Sequence, residues 1–371
     1  MTPPADRFKR FNSGKTMAFM LAFLCLVVLI VALKLAAPIL IPFFVAIVLA
    51  FVFDPIVVLF QRIRIPRAIG IGLVVILIGV VFWLLGLIIF NSAKTMLSLY
   101  PRYETRFLEI YQQIAKLFQL PFNEELSFSG NLLTQLGVRQ KIQSFLLTTS
   151  ETFLAFGKNL GLVLLFMVFL MAERVHFKDK LSAAFEGKLS TKIRAIFQSI
   201  VEQTMRYLRT KVLMSLLTGV LSFIIFLLVG LDFAIVWAVL VFAMNFIPTF
   251  GSIIAGMGVS IFALVQFWPA SLPIIIVAAG VLLANMVIGN FVEPKIQGDS
   301  LNLSPFVLLV SLSSWGYIWG FMGLVLAVPL TVVVKIFCEN IPLLEPASII
   351  MGSWKASKPA STDKTSSEEN T

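Results

Sequence analysis

The sequence predicts an all-α fold, a polytopic transmembrane helical bundle of about 6–8 spans with two broken or re-entrant late hairpins, and three observations carry that prediction. Of 371 residues, 59% are hydrophobic and only 13% are charged, against roughly 25% charged in a soluble domain. The apolar residues are gathered into uncharged runs, and about 20 residues at 1.5 Å rise cross the ~30 Å hydrocarbon layer. The 29 Lys and Arg lie in short segments between those runs rather than along one amphipathic face, so the net charge of +10 speaks for membrane topology and against nucleic acid as a partner.

Residues 1–16 carry Arg7, Lys9, Arg10 and Lys15 and are expected in the cytoplasm. Met17 to Leu33 follows like a signal sequence, but no small-x-small cleavage site comes before the next apolar run, which predicts an uncleaved first span. Met17 to Leu33 and Leu35 to Phe53 flank Lys34, and Pro38 and Pro42 supply a break, so they predict a helical hairpin whose second arm continues past Asp54 to Phe60. Ala68 to Ala93 is a third span, and 17–91 form the first membrane unit.

Residues 92–151 are expected outside. Within them Phe107, Ile110, Tyr111, Ile114, Leu117 and Phe118 recur at helical spacing opposite Glu109, Gln112, Gln113 and Lys116. Such an amphipathic helix lies on the membrane, on its own bundle or on another subunit, and the last case admits a homo-oligomer. Residues 152–211 hold a fourth span, Thr152 to Ala172, with Lys158 placed to snorkel, and then a basic cytoplasmic segment.

Residues 212–340 form the C-terminal membrane core. Val212 to Leu231 is a fifth span, and Phe233 to Val292 is then 60 residues without a charge, about 90 Å of helix. That run must fold back twice, with breaks at Asn245, Pro248 and Gly251 and at Pro269 and Pro273. Ser300 to Val334 has 35 residues, about 52 Å if helical and short for two crossings. A re-entrant hairpin, or two short tilted helices broken around Gly320 and Gly323, fits it better; non-helical backbone at that depth needs protein or a water-filled cavity beside it. Residues 341–371 form a cytoplasmic tail that turns to Ser, Thr, Lys and Glu beyond Ile350, a composition expected to be disordered.

Orientation follows from the basic residues. The N-terminus, the segment with Arg62, Arg64 and Arg67, and the nine Lys and Arg from Arg174 to Lys211 belong inside, which leaves Lys94 to Glu151 outside and both termini in the cytoplasm. Cys25 and Cys338 both sit in apolar stretches and read as packing residues.

Soluble-enzyme chemistry is poorly supplied, and no catalytic residue, metal or cofactor is expected. The single histidine, His176, lies in the basic segment and cannot build a membrane triad or a histidine-rich metal cluster. Ser13 to Thr16 ends like a phosphate-binding loop, yet Lys9 stands where its first glycine would be and no strand precedes it. What remains is polar residues beside broken apolar helices, which cost about 2.5–3.5 kcal/mol at the bilayer centre and therefore face cavities or partners. Asp54, Lys158, Asp232, Glu293 and Lys335 qualify, and the plain alternative is that they mark span ends. In GNFVEPKIQG, Asn290, Glu293, Pro294, Lys295 and Gly298 cluster between the two broken regions, where transporters place binding and coupling sites. Glu293 is either buried away from Lys295, and so a proton carrier, or paired with it as a clamp. Asn245 and Asn285 add amides inside uncharged runs, for a substrate or ion pathway or as glue between helices.

At LDFAIVWAVLVFAMNFIPTFGSIIA (Leu231 to Ala255), NMVIGNFVEPKIQGDSLNLSP (Asn285 to Pro305) and WGYIWGFMGLVLAVPLTVVVKI (Trp315 to Ile336), the sequence resembles the autoinducer-2 exporter family, over about Met17 to Cys338. The family's Asn-aromatic-Ile-Pro-x-x-Gly element falls on Asn245, Phe246, Ile247, Pro248 and Gly251. Its Glu-Pro element falls on Glu293 and Pro294, and its Ala-Val-Pro-Leu on Ala327 to Leu330; Phe246 stands where the family commonly has Tyr. The resemblance implies a bacterial inner-membrane exporter of a small polar signalling molecule such as autoinducer-2, and it also admits monovalent cation (sodium or lithium)/proton antiport. A third class, a membrane scaffold, would use the external helix and the basic loop to recruit partners. The expected partners are the lipid bilayer and a small-molecule substrate or ion.

Overall fold

A computed structural model describes residues 13–117, 157, 159–173, 180, 187–297 and 303–352. The expectations for Phe118, Lys158, His176, Gly298, the remainder of the external segment and the end of the tail lie outside the described residues. Among the described residues the regular structure is helical, apart from one isolated bridge between Leu303 and Gly352.

In chain order the helices are α1 (Ser13–Leu35), α2 (Ala37–Arg62), α3 (Arg67–Leu117), α4 (Asn159–Glu173), α5 (Gly187–Val229), α6 (Ala234–Met244), α7 (Phe250–Phe267) and α8 (Ser271–Met286). A π-helical turn, Val287–Val292, joins α8 to α9 (Glu293–Gln297); α10 (Pro305–Asn340) and α11 (Glu345–Met351) follow. Among the described residues, six helical stretches are long and apolar enough to cross a membrane: Ala37–Arg62, Arg67–Gln113, Ile193–Val229, Phe250–Phe267, Ser271–Ile296 and Pro305–Asn340.

Two helices outrun the bilayer. With 51 residues, α3 is about 76 Å long, and α5 with 43 residues about 64 Å. The apolar Ala68 to Ala93 and the amphipathic stretch after it therefore form one continuous helix, as do most of the basic segment and the fifth span. α1 meets the rest only lightly, and its side chains, Cys25 included, are mostly exposed. Cys25 thus faces outward from the bundle rather than filling it; Cys338 is buried.

The 60-residue uncharged run does fold back twice, at Asn245–Thr249 and at Trp268–Ala270. The first reversal depends on Gly251, where a Cβ would stand 1.7 Å from the Met244 carbonyl oxygen. α6 has only 11 residues, about 16 Å or half the hydrocarbon layer. Its partners are small, with Ala238, Ala255, Val259, Ala263, Val277 and Val281 making one dry cluster around Phe226. In lipid the hydrophobic effect does not drive helices together, so close approach over small side chains supplies the contact energy.

α10 is a hairpin rather than one rod. The backbone reverses at Gly320 (φ 60°, ψ −138°), and a Cβ at Gly323 would lie 1.8 Å from the Trp315 carbonyl oxygen. The arms, 305–319 and 321–340, are about 22 Å and 30 Å long. They are pinned to each other by Ser311 Oγ, which donates to the Ala327 carbonyl at 3.1 Å. At the tip Trp319 Nε1 donates to the Leu33 carbonyl at 3.0 Å, and Lys34 Nζ sits 4.5 Å from the Tyr317 ring centre. The two late broken regions meet through Ile247 against Leu312 and Ala327, in an apolar contact. Pro248 lies in the first reversal and Pro329 is buried in the second arm.

Candidate functional site

Asp54 lies in α2 directly before Pro55, where the proline's missing N–H leaves a turn of helix without its usual bond. Its residue is 7% exposed. Four residues separate α2 from α3, with Arg64 in the left-handed region, and this tight turn brings the first residue of α3, Arg67, back to Asp54 at 3.7 Å. Arg67 Nη2 also donates to the Met171 carbonyl at 2.9 Å. Met171 stands in the last turn of α4, where carbonyls have no helical partner and carry the negative end of the helix dipole. One guanidinium therefore ties three helices together at a buried carboxylate.

Beside this junction lies a cavity of about 1190 Å³ between α2, α4 and α5. Asp54, Glu173, Arg194, Arg206 and Arg209 supply its charged lining, and Phe43, Ile47, Phe51 and Leu170 its apolar lining. Asp54 and Phe43 are eleven residues apart on α2, about 16 Å of helix, and Phe43 packs edge-on against Phe166 of α4 at 5.6 Å. A second hollow of about 390 Å³ shares Asp54 and Arg209 and adds Arg62. The acids around the cavity have cations of their own: Asp54 has Arg67, Glu173 has Lys180, and Glu202 has Arg206 at 3.7 Å. Arg62, Arg194 and Arg209 make no ion pair among the described residues.

A second buried charge pair lies behind the cavity wall. Lys211 Nζ on α5 donates to both carboxylate oxygens of Glu293, at 3.0 and 3.2 Å. The side chains are 7% and 15% exposed. Thr210 and Ile296, neighbours of this pair on the same two helices, line the cavity itself. Pro294 explains the local backbone: it cannot donate to the Asn290 carbonyl and its ring crowds that carbonyl, and the chain takes a wider π turn just before Glu293. Glu293 is thus clamped, but by Lys211 and not by Lys295, which is exposed along with Asn290 and Pro294. Those neighbours in sequence do not share a pocket with its carboxylate.

Asn245 is 7% exposed and satisfied within the bundle. Its Nδ2 donates to Ser215 Oγ at 3.2 Å, and its Oδ1 accepts from Ser252 Oγ at 3.1 Å. It therefore joins α5, the α6–α7 reversal and α7, the gluing role. Pro248 is half-buried and Gly251 buried in that reversal, and Asn285 is half-buried on α8. None of these lines either cavity. Asp232, at the opposite end of the bundle, accepts from Tyr103 Oη at 2.8 Å, and its N–H is held by Gln266 Oε1. Lys335 pairs with Glu339 at 2.9 Å on its own helix.

The structure thus divides the sequence candidates. Asp54 is at the cavity, Glu293 is behind its wall, and Asn245, Pro248 and Gly251 are in a packed turn remote from it. Sequence reasoning did not single out Arg67, Lys211, Arg194 or Arg209, which it had counted only as topology signals. Lys211 did carry a signal, being the last charge before a 20-residue apolar run in a chain whose next acid inside the core is Glu293 or Asp232.

A family model described as AI-2E family transporter matches residues 19–343. A putative transport protein of Borreliella burgdorferi is 32% identical over 313 residues, covering 84% of this chain and 84% of that one. A putative transport protein of Haemophilus influenzae is 30% identical over 345 residues, with 90% and 95% covered. The AI-2 transport protein TqsA of Escherichia coli is 28% identical over 344 residues, with 88% and 93% covered.

Proposed function

Because the chain belongs to the AI-2E transporter family, we propose that it is a secondary transporter of the bacterial inner membrane that exports a small polar signalling molecule such as autoinducer-2. The observation that supports this reading is the cavity beside Asp54, at the end of the bundle where arginines gather. The basic-residue rule assigns that end to the cytoplasm, so the cavity is the vestibule from which cargo is taken up. Asp54, Glu173 and the arginines supply its polar groups, and Phe43, packed edge-on against Phe166, is part of its apolar lining. Cargo that enters meets a carboxylate already held by Arg67, whose oxygens accept hydrogen bonds from hydroxyls.

A second reading, monovalent cation/proton antiport, is favoured by the same buried Asp54, since an acid inside the bundle is the minimum equipment for moving ions. The scaffold reading loses support, because it needs no cavity lined by ionised side chains. Transport by the purified full-length protein in liposomes separates them. Uptake or release of an autoinducer-2 preparation that depends on the protein and fails with Asp54→Asn supports export. Sodium- or lithium-driven proton flux without cargo movement supports antiport. A protein that moves neither sinks both.

A further inference from the structure

Among the described residues, the ionised groups around the cavity do not balance one another where they stand. Asp54, Glu173 and Glu202 are each neutralised by a cation beside them, whereas Arg194 and Arg209 face the cavity with no acid of their own among the described residues, and Arg62 stands likewise at the adjoining hollow. Arg194 and Arg209 stand 15 residues apart on α5, about 22 Å of helix, so among the described residues the excess positive charge is spread along that helix, with Arg209 next to Asp54. The lining also has an apolar part, Phe43, Ile47, Phe51 and Leu170, with Phe43 about 16 Å of helix from Asp54. Membrane topology accounts for basic residues on this side of the bilayer, yet it does not require them to face an interior space with an apolar lining. The volume of about 1190 Å³ exceeds the roughly 300–1,000 Å³ of ordinary small-molecule pockets, far more room than a small hydroxylated metabolite fills.

We propose that this cavity binds an amphiphilic organic anion, with a phosphate or carboxylate head at Arg209 and a hydrocarbon body along Phe43, Ile47 and Leu170. Guanidinium groups suit that head, because their planar fork donates two parallel hydrogen bonds to such oxygens and sheds water more readily than an ammonium. The apolar wall supplies what a purely ionic site lacks, since hydrocarbon removed from water contributes roughly in proportion to its area. The head chemistry is shared by two sources, an acidic phospholipid of the surrounding bilayer and a diffusible amphiphile from the cytoplasm. The proposal rests on reading the cavity as the cytoplasmic vestibule, and it adds an occupant of a second class beside the small polar cargo.

The test measures binding without any gradient, so that its failure leaves the transport assay above standing. Full-length protein in phosphatidylcholine nanodiscs is titrated with radiolabelled dodecyl phosphate, with dodecanol as the uncharged counterpart. The expected result is saturable binding of dodecyl phosphate that dodecanol does not match. The double variant R194Q/R209Q should bind about tenfold more weakly or worse, as expected for loss of charge-assisted hydrogen bonds, while Lys94→Gln, at a residue remote from the cavity, binds as the parent does. Both arginines are exposed, and if the double variant nevertheless failed to fold, the dodecanol comparison on the parent would still decide. Displacement of dodecyl phosphate by phosphatidylglycerol assigns the site to lipid, and displacement only by water-soluble alkyl phosphates assigns it to a diffusible anion. Absence of saturable binding, equal binding of dodecanol, or an unchanged affinity in a folded double variant would overturn the proposal.

Discussion

Two buried ion pairs of this bundle hold the same kinds of charge and are built for different work. Lys211 and Glu293 meet twice, at 3.0 and 3.2 Å, between α5 and α9, and neither lines the cavities that Asp54 faces. Asp54 and Arg67 meet once, at 3.7 Å, and Asp54 opens onto both cavities. Two charges sealed from water lose several kcal/mol of hydration each, which only a close, doubly bonded partner offsets. A charge beside a solvent-filled space keeps part of its hydration and can exchange its partner. The first pair is therefore a clamp, and the second is positioned to respond to what enters.

The largest test of that contrast is Glu293→Ala, which leaves Lys211 buried without a partner. The expected cost is about 3–5 kcal/mol, seen as a lower melting temperature and poor yield in detergent. Replacing both partners, Lys211→Met with Glu293→Leu, should restore stability. If the single variant melts like the parent, the clamp reading is wrong; if the stable double variant is dead in transport, the pair does more than hold.

Asn245 provides the uncharged counterpart of the clamp, since it makes two side-chain hydrogen bonds in a packed turn. Asn245→Ala should cost about 0.6–1.7 kcal/mol, the range for such bonds between membrane helices. A loss of transport with normal melting would instead place this turn in the cargo path.

Asp54→Asn should cost less stability than Glu293→Ala, because the amide keeps the shape and an acceptor for Arg67 and the pair meets once, at 3.7 Å, while transport in liposomes falls. A variant that is strongly destabilised would make Asp54 a second clamp and erase the contrast. The smallest effect is expected for Glu109→Gln on α3, whose half-exposed bond to Arg106 at 2.9 Å joins residues three apart. It should cost about 0.2–0.5 kcal/mol and leave transport unchanged, setting the floor against which the buried pairs are read.

Much of the architecture was legible in the chain because lipid makes harsh demands on local sequence. A run of uncharged residues must cross or fold back, and Pro248, Gly251 and Gly320 mark where it can reverse, so the breaks after Met244 and at Gly320 followed from the residues nearby. The seam between α3 and its amphipathic continuation was harder to see. The apolar and amphipathic patterns differ, but nothing between Phe90 and Tyr103 except Pro101 interrupts a helix. A helix continues as long as its backbone hydrogen bonds do, whatever the polarity of the side chains it carries.

The candidate site was legible only in part. Asp54 and Glu293 stood out as acids that close long uncharged runs, and that much the sequence determined: an acid beside a long apolar run must find a cavity or a partner. Which one it found was decided by tertiary structure. Glu293 lies two residues from Lys295 in the chain, yet on a helix positions i and i+2 point about 200° apart, while the packing of α9 on α5 brings Lys211, 82 residues away, within 3.0 Å. The same holds for the cavity, whose walls come from α2, α4 and α5. Its shape depends on how those helices cross, a property of side-chain packing between distant segments that no local pattern of charge or hydropathy encodes.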